Sequence, residues 1–308
     1  MRRLLALLIL FAMLCTAAVA EEWEPLPLSG AAPYGPVEGA LSADGLSYDD
    51  GTLSVRVEKD VFNGTNVYYV YVMITDPTQL RTYFHAQALS SKTAKPSAMA
   101  QACNAVLAIN GDFYTFQDSK PGIIYRNGEM IRDNPVTDYD ELFIDEKGDL
   151  TVVAWPVSLK QRRRDFEAYA DDVMEAYTKE HTLIHAFAFG PALIADGEAL
   201  EIPDRDKVSC GYRGGDQRMV LCQLDTLSYL IVACESKRQG GGQTGLTVPE
   251  ITQLCLEKGA VQAYNMDGGN STAIILCGQR INGYNEYDSL AKEREIKDII
   301  YFATLRSE

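Results

Sequence analysis

TLSVRVEKD (52–60) and NVYYVYVMIT (66–75) alternate apolar and polar residues on either side of Asn63-Gly64. Alternation with period two is the signature of a half-buried strand, and Asn-Gly supplies the positive φ angles of a tight hairpin turn. The same grammar recurs in NAVLAIN (104–110), in IIYRNGEMI (123–131) around Asn127-Gly128, and in ELFID (141–145) followed by Lys147-Gly148 and LTVVAW (150–155). Further on, FAFGPALIADGEAL reads as strand, turn and strand, and QRMVLCQLD with LSYLIVACE reads as another hairpin. A chain punctuated this way builds sheets mainly from neighbouring antiparallel strands.

Two helices interrupt the strands. Residues 161–179 carry Phe166, Tyr169, Val173, Met174 and Tyr177 at helical spacing. TVPEITQLCLEKGA opens with Thr247 as N-cap, Pro249 in the first turn and Glu250 in capping-box position, and it ends at Gly259. The fold class expected is α+β: mixed or antiparallel β-sheets flanked by a few helices, in one main domain with an N-terminal strand-rich extension.

The first twenty residues, MRRLLALLILFAMLCTAAVA, pair two arginines with a short apolar run and a small-residue ending at Ala18-Val19-Ala20. This is the pattern of a secretory signal peptide, so the expected product is secreted or held in the cell envelope, with no membrane insertion after cleavage. Residues 21–50, rich in Pro, Gly and acids, read as an extended arm; 51–99 as the strand-rich part; 100–305 as the main domain. The formal charge of the full chain is −15, which disfavours nucleic acid as a partner and requires a locally basic pocket for any anionic ligand. Of seven cysteines, Cys15 lies in the leader. Cys103, Cys210, Cys222, Cys234, Cys255 and Cys277 are compatible with up to three disulfides or with buried thiols, and without a CxxC pair they disfavour a zinc cluster. With three histidines and no G-x-S-x-G elbow, a Ser-His-Asp hydrolase is disfavoured, and His181 and His185 read as ordinary strand or loop residues.

Chemistry is expected where strands run into polar bends. In AYNMDGGNSTAIILCG (263–278), Asp267 stands at a strand end, and Gly268-Gly269 permit tight turning and close approach to a ligand. Asn270, Ser271 and Thr272 follow as polar groups, and a turn acid bonded only to neighbouring amides is the competing reading. A second segment of the same build, AINGDFY (108–114), offers Asn110 and Asp112 with Phe113 and Tyr114 as stacking surfaces. Arg126, Arg132 and Arg213 are candidates for gripping phosphate or for ion pairs, Arg213 being favoured by its flanking glycines. Glu235 follows an apolar strand, and RQGGGQTG (238–245) reads either as a mobile rim whose Thr244-Gly245 end approaches a substrate at the following helix or as a purely structural glycine linker.

The order of these motifs, NGDFY, YRNGEMI, FGPALIADGE, YRGGDQR and then GLTVPEITQLCLEKGAVQAYNMDGGNST, resembles the phosphodiester glycosidase family over about residues 100–304. The chain has Asp267-Gly-Gly-Asn270-Ser271 where the family commonly has a third glycine. The resemblance implies hydrolysis of a sugar from a sugar-1-phosphodiester or related envelope glycan, with a carbohydrate or glycan-phosphate as partner. It implies Asp267 as catalytic carboxylate with Glu235 or Asp112 as its partner, Arg213 on the leaving phosphate, and Asn110, Ser271 and Thr272 orienting hydroxyls. No cofactor is required on this reading. Two others remain open: a non-catalytic glycan-binding or exopolysaccharide-associated protein with the same cleft, and a Ca²⁺ ion held by Asp112 and Asp267.

Overall fold

The computed structural model describes residues 23–88, 90–113, 121–202, 214–236, 244–283 and 293–307. The leader, Tyr114, Cys210 and Arg213 therefore lie outside the described residues. The fold is α+β, with three sheets whose strands, numbered in chain order, pair antiparallel throughout.

The largest sheet runs β1 (Ser47–Asp49), β2 (Leu53–Phe62), β3 (Thr65–Ile74), β14 (Ser228–Cys234), β13 (Arg218–Asp225), β15 (Gln262–Asn265), β11 (Ala192–Ala195) and β12 (Glu198–Ala199). A second runs β7 (Glu129–Asn134), β6 (Gly122–Arg126), β10 (Leu183–Phe189), β8 (Asp140–Asp145) and β9 (Leu150–Val153). The third runs β17 (Gln279–Arg280), β16 (Ile274–Leu276), β5 (Leu107–Asn110), β18 (Asp298–Phe302) and β4 (Leu80–Phe84). Because β3 pairs with β14 and β4 with β18, the N-terminal strands are woven into the same sheets as the rest.

Period-two alternation decides which core each side chain joins. Along β13, Met219 and Leu221 enter a central cluster with Val70 and Val72 of β3, Leu142 and Ile144 of β8, and Ile109 and Phe302 of the third sheet. Their neighbours Val220 and Cys222 face the other way, onto Val248, Ile251 and Cys255 of α3 (Val248–Glu257). Both faces of the sheet are covered, which is why β13 and β14 read as nearly continuous apolar runs. The second sheet turns Phe143 and Ala186 outward onto Phe166 and Ala170 of α2 (Arg163–Glu180), and the third turns Ala108 and Tyr301 onto Met99 and Cys103 beside α1 (Pro96–Ala102). Among the described residues, no helix is long and apolar enough to cross a membrane.

The arm is more firmly seated than a surface tether. Leu26 and Ala32 are buried against α1 and β18, Ala32 N donates to Cys103 O at 3.2 Å, and Arg81 Nη2 donates to Pro27 O at 2.6 Å. Strand β5 begins at Leu107, three residues later than the apolar pattern suggested, because Asn104 takes φ +60° and Ala105 N closes onto Ala100 O at the end of α1. Cys103, Cys222, Cys234, Cys255 and Cys277 are free thiols, so the disulfide alternative does not hold for them; burial pushes the thiols of Cys222 and Cys234 upward in pKa.

The start of α3 follows the sequence reading. Thr247 Oγ1 accepts from Glu250 N at 3.3 Å, and Glu250 Oε2 accepts from Thr247 N at 2.8 Å. Thr247→Ala removes the first of these bonds and should cost about 1 kcal/mol of stability, read as a lower denaturant midpoint at unchanged slope.

Candidate active site

The site is assembled where β15 ends, β13 begins and, from another sheet, β5 ends. Beyond Asn265 the chain crosses the start of β13: Met266 N donates to Met219 O at 2.8 Å and Gly269 N to Gln217 O at 2.9 Å. A Cβ on Gly268 would stand 2.5 Å from Gln217 O, so this crossing needs a glycine. Gly269 adopts φ +57° and opens a short 3-10 turn through Ser271. From β5, Asn110 Nδ2 donates to Asp267 O at 2.7 Å while its Oδ1 accepts from Ala273 N at 3.2 Å. One buried amide thus grips both sides of the Asp267 turn.

Asp267 lines a hollow of about 220 Å³ together with Arg218, Arg294, Phe113 and Phe189. Phe113 and Phe189 meet with ring centroids 4.7 Å apart, Tyr139 stands 6.3 Å from Phe189, and together they form an apolar wall. Arg218 is buried and anchored, donating from Nε to Leu246 O at 2.9 Å and from Nη2 to Gly214 O at 2.7 Å. Those carbonyls come from segments that touch backbone to backbone: Asp216 and Leu246 exchange hydrogen bonds, and a Cβ on Gly245, at φ +75°, would lie 2.3 Å from Asp216 O. Burial pushes the Asp267 carboxyl up to about 6, against the pull of the Ser271 hydroxyl and the Arg294 charge. Two arginines, Arg218 and Arg294, and two aspartates, Asp216 and Asp267, thus line the same hollow.

The other expected site residues are dispersed. Gly268, Gly269 and Asn270 share the hollow with Asp267, whereas Ser271 and Thr272 are buried in the turn behind them, Thr272 O accepting from Asn282 Nδ2 at 3.0 Å. Asp112 is buried beneath the site, its carboxylate 3.1 Å from Arg126 Nη2; Arg126 also holds Asp298 at 2.8 Å, and all three side chains are at most 2% exposed. Burial holds the Asp112 carboxyl above the ordinary range, with the Arg126 charge lowering it and Asp298 raising it. Glu235 is not among the residues lining the hollow; its carboxylate accepts from the Tyr68 hydroxyl, from Asn66 Nδ2 at 2.8 Å and from Gly283 N at 2.7 Å. Arg132 is buried beside Pro121, whose carbonyl accepts from its Nη1 at 3.3 Å.

Among the lining residues that the sequence reading did not point to, Arg218, Arg294 and Phe189 bear most on the chemistry. Arg218 carried a signal, since a cation opening an otherwise apolar strand must be buried with it, while Arg294 in KEREIK looks like any surface charge. Phe189 sits next to the cis Gly190-Pro191 bond and was indistinguishable from core.

A model of the phosphodiester glycosidase family matches residues 103–303. The chain belongs to that family. The matched span runs from the end of α1 to the end of β18, so it contains every wall of the hollow. Among solved structures, the catalytic domain of zebrafish N-acetylglucosamine-1-phosphodiester alpha-N-acetylglucosaminidase, auto-inhibited by its pro-peptide, superposes with TM-score 0.63 at 14% identity, over 83% of this chain and 85% of that one. A protein from Synechocystis gives TM-score 0.54 at 14% identity over 81% and 62% of the two chains. One from Burkholderia pseudomallei K96243 gives 0.51 at 13% over 78% and 74%. At these identities the likeness is one of fold. A search of the curated proteins finds no match.

Proposed function

We propose that this phosphodiester glycosidase family member is an exported hydrolase that releases a sugar from a sugar-1-phosphodiester of the cell envelope. The observation that carries the reading is a single hollow in which the Asp267 carboxylate and two guanidinium groups, Arg218 and Arg294, share an aromatic wall. A sugar face packs on Phe113 and Phe189, and the arginines take the phosphate by charge-assisted hydrogen bonds. As the anomeric bond to phosphate breaks, negative charge grows on the departing oxygen and positive charge on the sugar ring. The phosphate is a good leaving group, so fixed positive charge does for it what a general acid does in an ordinary glycoside. Asp267, as a carboxylate, stabilises the cationic ring and serves as nucleophile or as base for water.

The mechanism requires Asp267 to be ionised, so its raised pKa sets an acid limb. Activity should be near its plateau at pH 7 and should fall about tenfold per pH unit below about 6. The test is release of reducing sugar from a panel of hexose- and N-acetylhexosamine-1-phosphodiesters across that range. Binding of those compounds by calorimetry with no sugar released over hours would instead establish a glycan-binding protein that keeps the cleft without turnover.

A further inference from the structure

At the far end of β8 from the aromatic wall, a second group of polar side chains comes together. Strand β8 reaches the wall at Asp140, which pairs with Phe189, and ends at Asp145, which pairs with Leu183. Six residues of strand put the two ends on the order of 17 Å apart. At the distant end Asp145, Glu146 and His181 each present one ligand atom, all within 4.8 Å of one another.

Each of the three is held by contacts that leave a donor facing the others. Asp145 Oδ1 accepts from Lys147 N and Asp149 N, both at 2.9 Å, which leaves Oδ2 pointing at His181 Nδ1, 2.9 Å away. His181 follows the last turn of α2, and its ring is stacked on Tyr177 with centroids 4.9 Å apart and planes 29° from parallel. Glu146 reaches across from the β8–β9 turn, and its Oε2 accepts from Thr182 N at 2.7 Å. Two segments 36 residues apart in sequence therefore point a carboxylate, a second carboxylate and an imidazole at a common centre.

The Asp145–His181 ion pair and the bond from Thr182 N to Glu146 place the side chains one by one, and together they bring three ligand atoms of metal-binding type within 4.8 Å of one another. We propose that Asp145, Glu146 and His181 form a binding site for a divalent transition-metal ion of the Zn²⁺ class. Imidazole nitrogen with two carboxylates suits Zn²⁺ better than Mg²⁺ or Ca²⁺, which take oxygen donors almost exclusively. Zinc bonds to these donors are about 2.0–2.2 Å, and rotation of the exposed Glu146 side chain supplies the small closure required. Binding through Nδ1 leaves the ring one proton, on Nε2; a neutral ring reaches this by a change of tautomer, and an imidazolium by releasing its second proton to solvent. The ion would tie the β8–β9 hairpin to the junction of α2 and β10, a structural cross-link independent of the catalytic hollow.

The test is calorimetric titration of Zn²⁺ into the chelator-treated, desalted full chain, with melting curves in parallel. The expected result is one equivalent bound at micromolar affinity, a melting temperature that rises with Zn²⁺, and no comparable effect of Mg²⁺. Glu146→Gln and His181→Ala, both at accessible positions, should each weaken binding at least tenfold and cancel the thermal shift while sugar release is unchanged. Absence of binding at 1 mM Zn²⁺ (about a thousandfold above the micromolar range), or binding that persists unchanged in both folded variants, overturns the proposal. Neither outcome bears on the glycosidase reading, which is scored by sugar release alone.

Discussion

Asp267→Asn is expected to lower kcat/KM for a sugar-1-phosphodiester on the order of a thousandfold or more, with the melting temperature held or slightly raised. The replacement is nearly isosteric, and the contacts that fix the turn are made by main chain: Asp267 O accepts from Asn110, and Gly269 N donates to Gln217 O. None of them needs the carboxylate. The side chain itself is strained electrostatically, because burial has pushed its carboxyl up to about 6; a neutral amide relieves that penalty. Loss of activity with gain of stability is the mark of a group kept for chemistry. Since the substitution places Asn before Gly268, slow deamidation can regenerate the acid; an intact-mass measurement and Asp267→Ala guard against a false residual rate. A variant that turns over normally would reduce Asp267 to an architectural turn residue and remove the carboxylate from the mechanism.

The sequence carried the local rules and was silent on the distant ones. The hairpin around Asn63-Gly64, the capping box at Thr247 and the continuous apolar strands β13 and β14 were legible because each depends on residues a few positions apart. The meeting of Asn110 with the Asp267 turn was half legible: two strands ending in polar bends suggested a shared site, but not that the Asn110 amide would grip a backbone carbonyl 157 residues away. Strand β18 was not read at all. DIIYF sits beyond a charged stretch and becomes a strand only because β5 and β4 flank it, a pairing between residues about two hundred positions apart. Asp298 came with it, unnoticed, as the partner of Arg126. Likewise the place of Arg218 in the hollow depends on the close approach of residues 214–216 to 244–246, which glycines permit but do not announce.

That buried pair sets up the largest effect on stability. Arg126 donates from Nε and Nη2 to Asp298 Oδ2, at 3.1 and 2.8 Å, and from Nη2 to Asp112. It also bonds the carbonyls of Tyr125 and Ala186, and lies over the Phe187 ring at 3.9 Å from the centroid. Arg126→Met keeps most of the packing and strands two carboxylates without a cation, which should cost about 3–5 kcal/mol, a large fraction of the stability of a typical domain. Arg126→Lys should recover little, since one ammonium cannot reproduce the fork that spans both acids and two carbonyls. The decisive variant is the neutral triple, Arg126→Met with Asp112→Asn and Asp298→Asn, which should regain most of the loss because no charge remains to be desolvated. In Arg126→Met the Asp112 carboxyl, already raised by burial, loses the guanidinium charge that lowers it, so the folded form holds a proton that the unfolded chain releases. Its deficit against wild type should accordingly be full at neutral pH and shrink as the pH falls toward about 4, where unfolded carboxylates protonate as well. The same network reaches the residue that grips the Asp267 turn: Asp298 Oδ1 accepts from Asp112 N at 3.0 Å and Asp298 O from Gly111 N at 3.1 Å, immediately after Asn110. Loss of Arg126 should therefore loosen the Asn110 grip on Asp267 before the protein unfolds, and sugar release should fail at lower denaturant than the circular dichroism of the sheets.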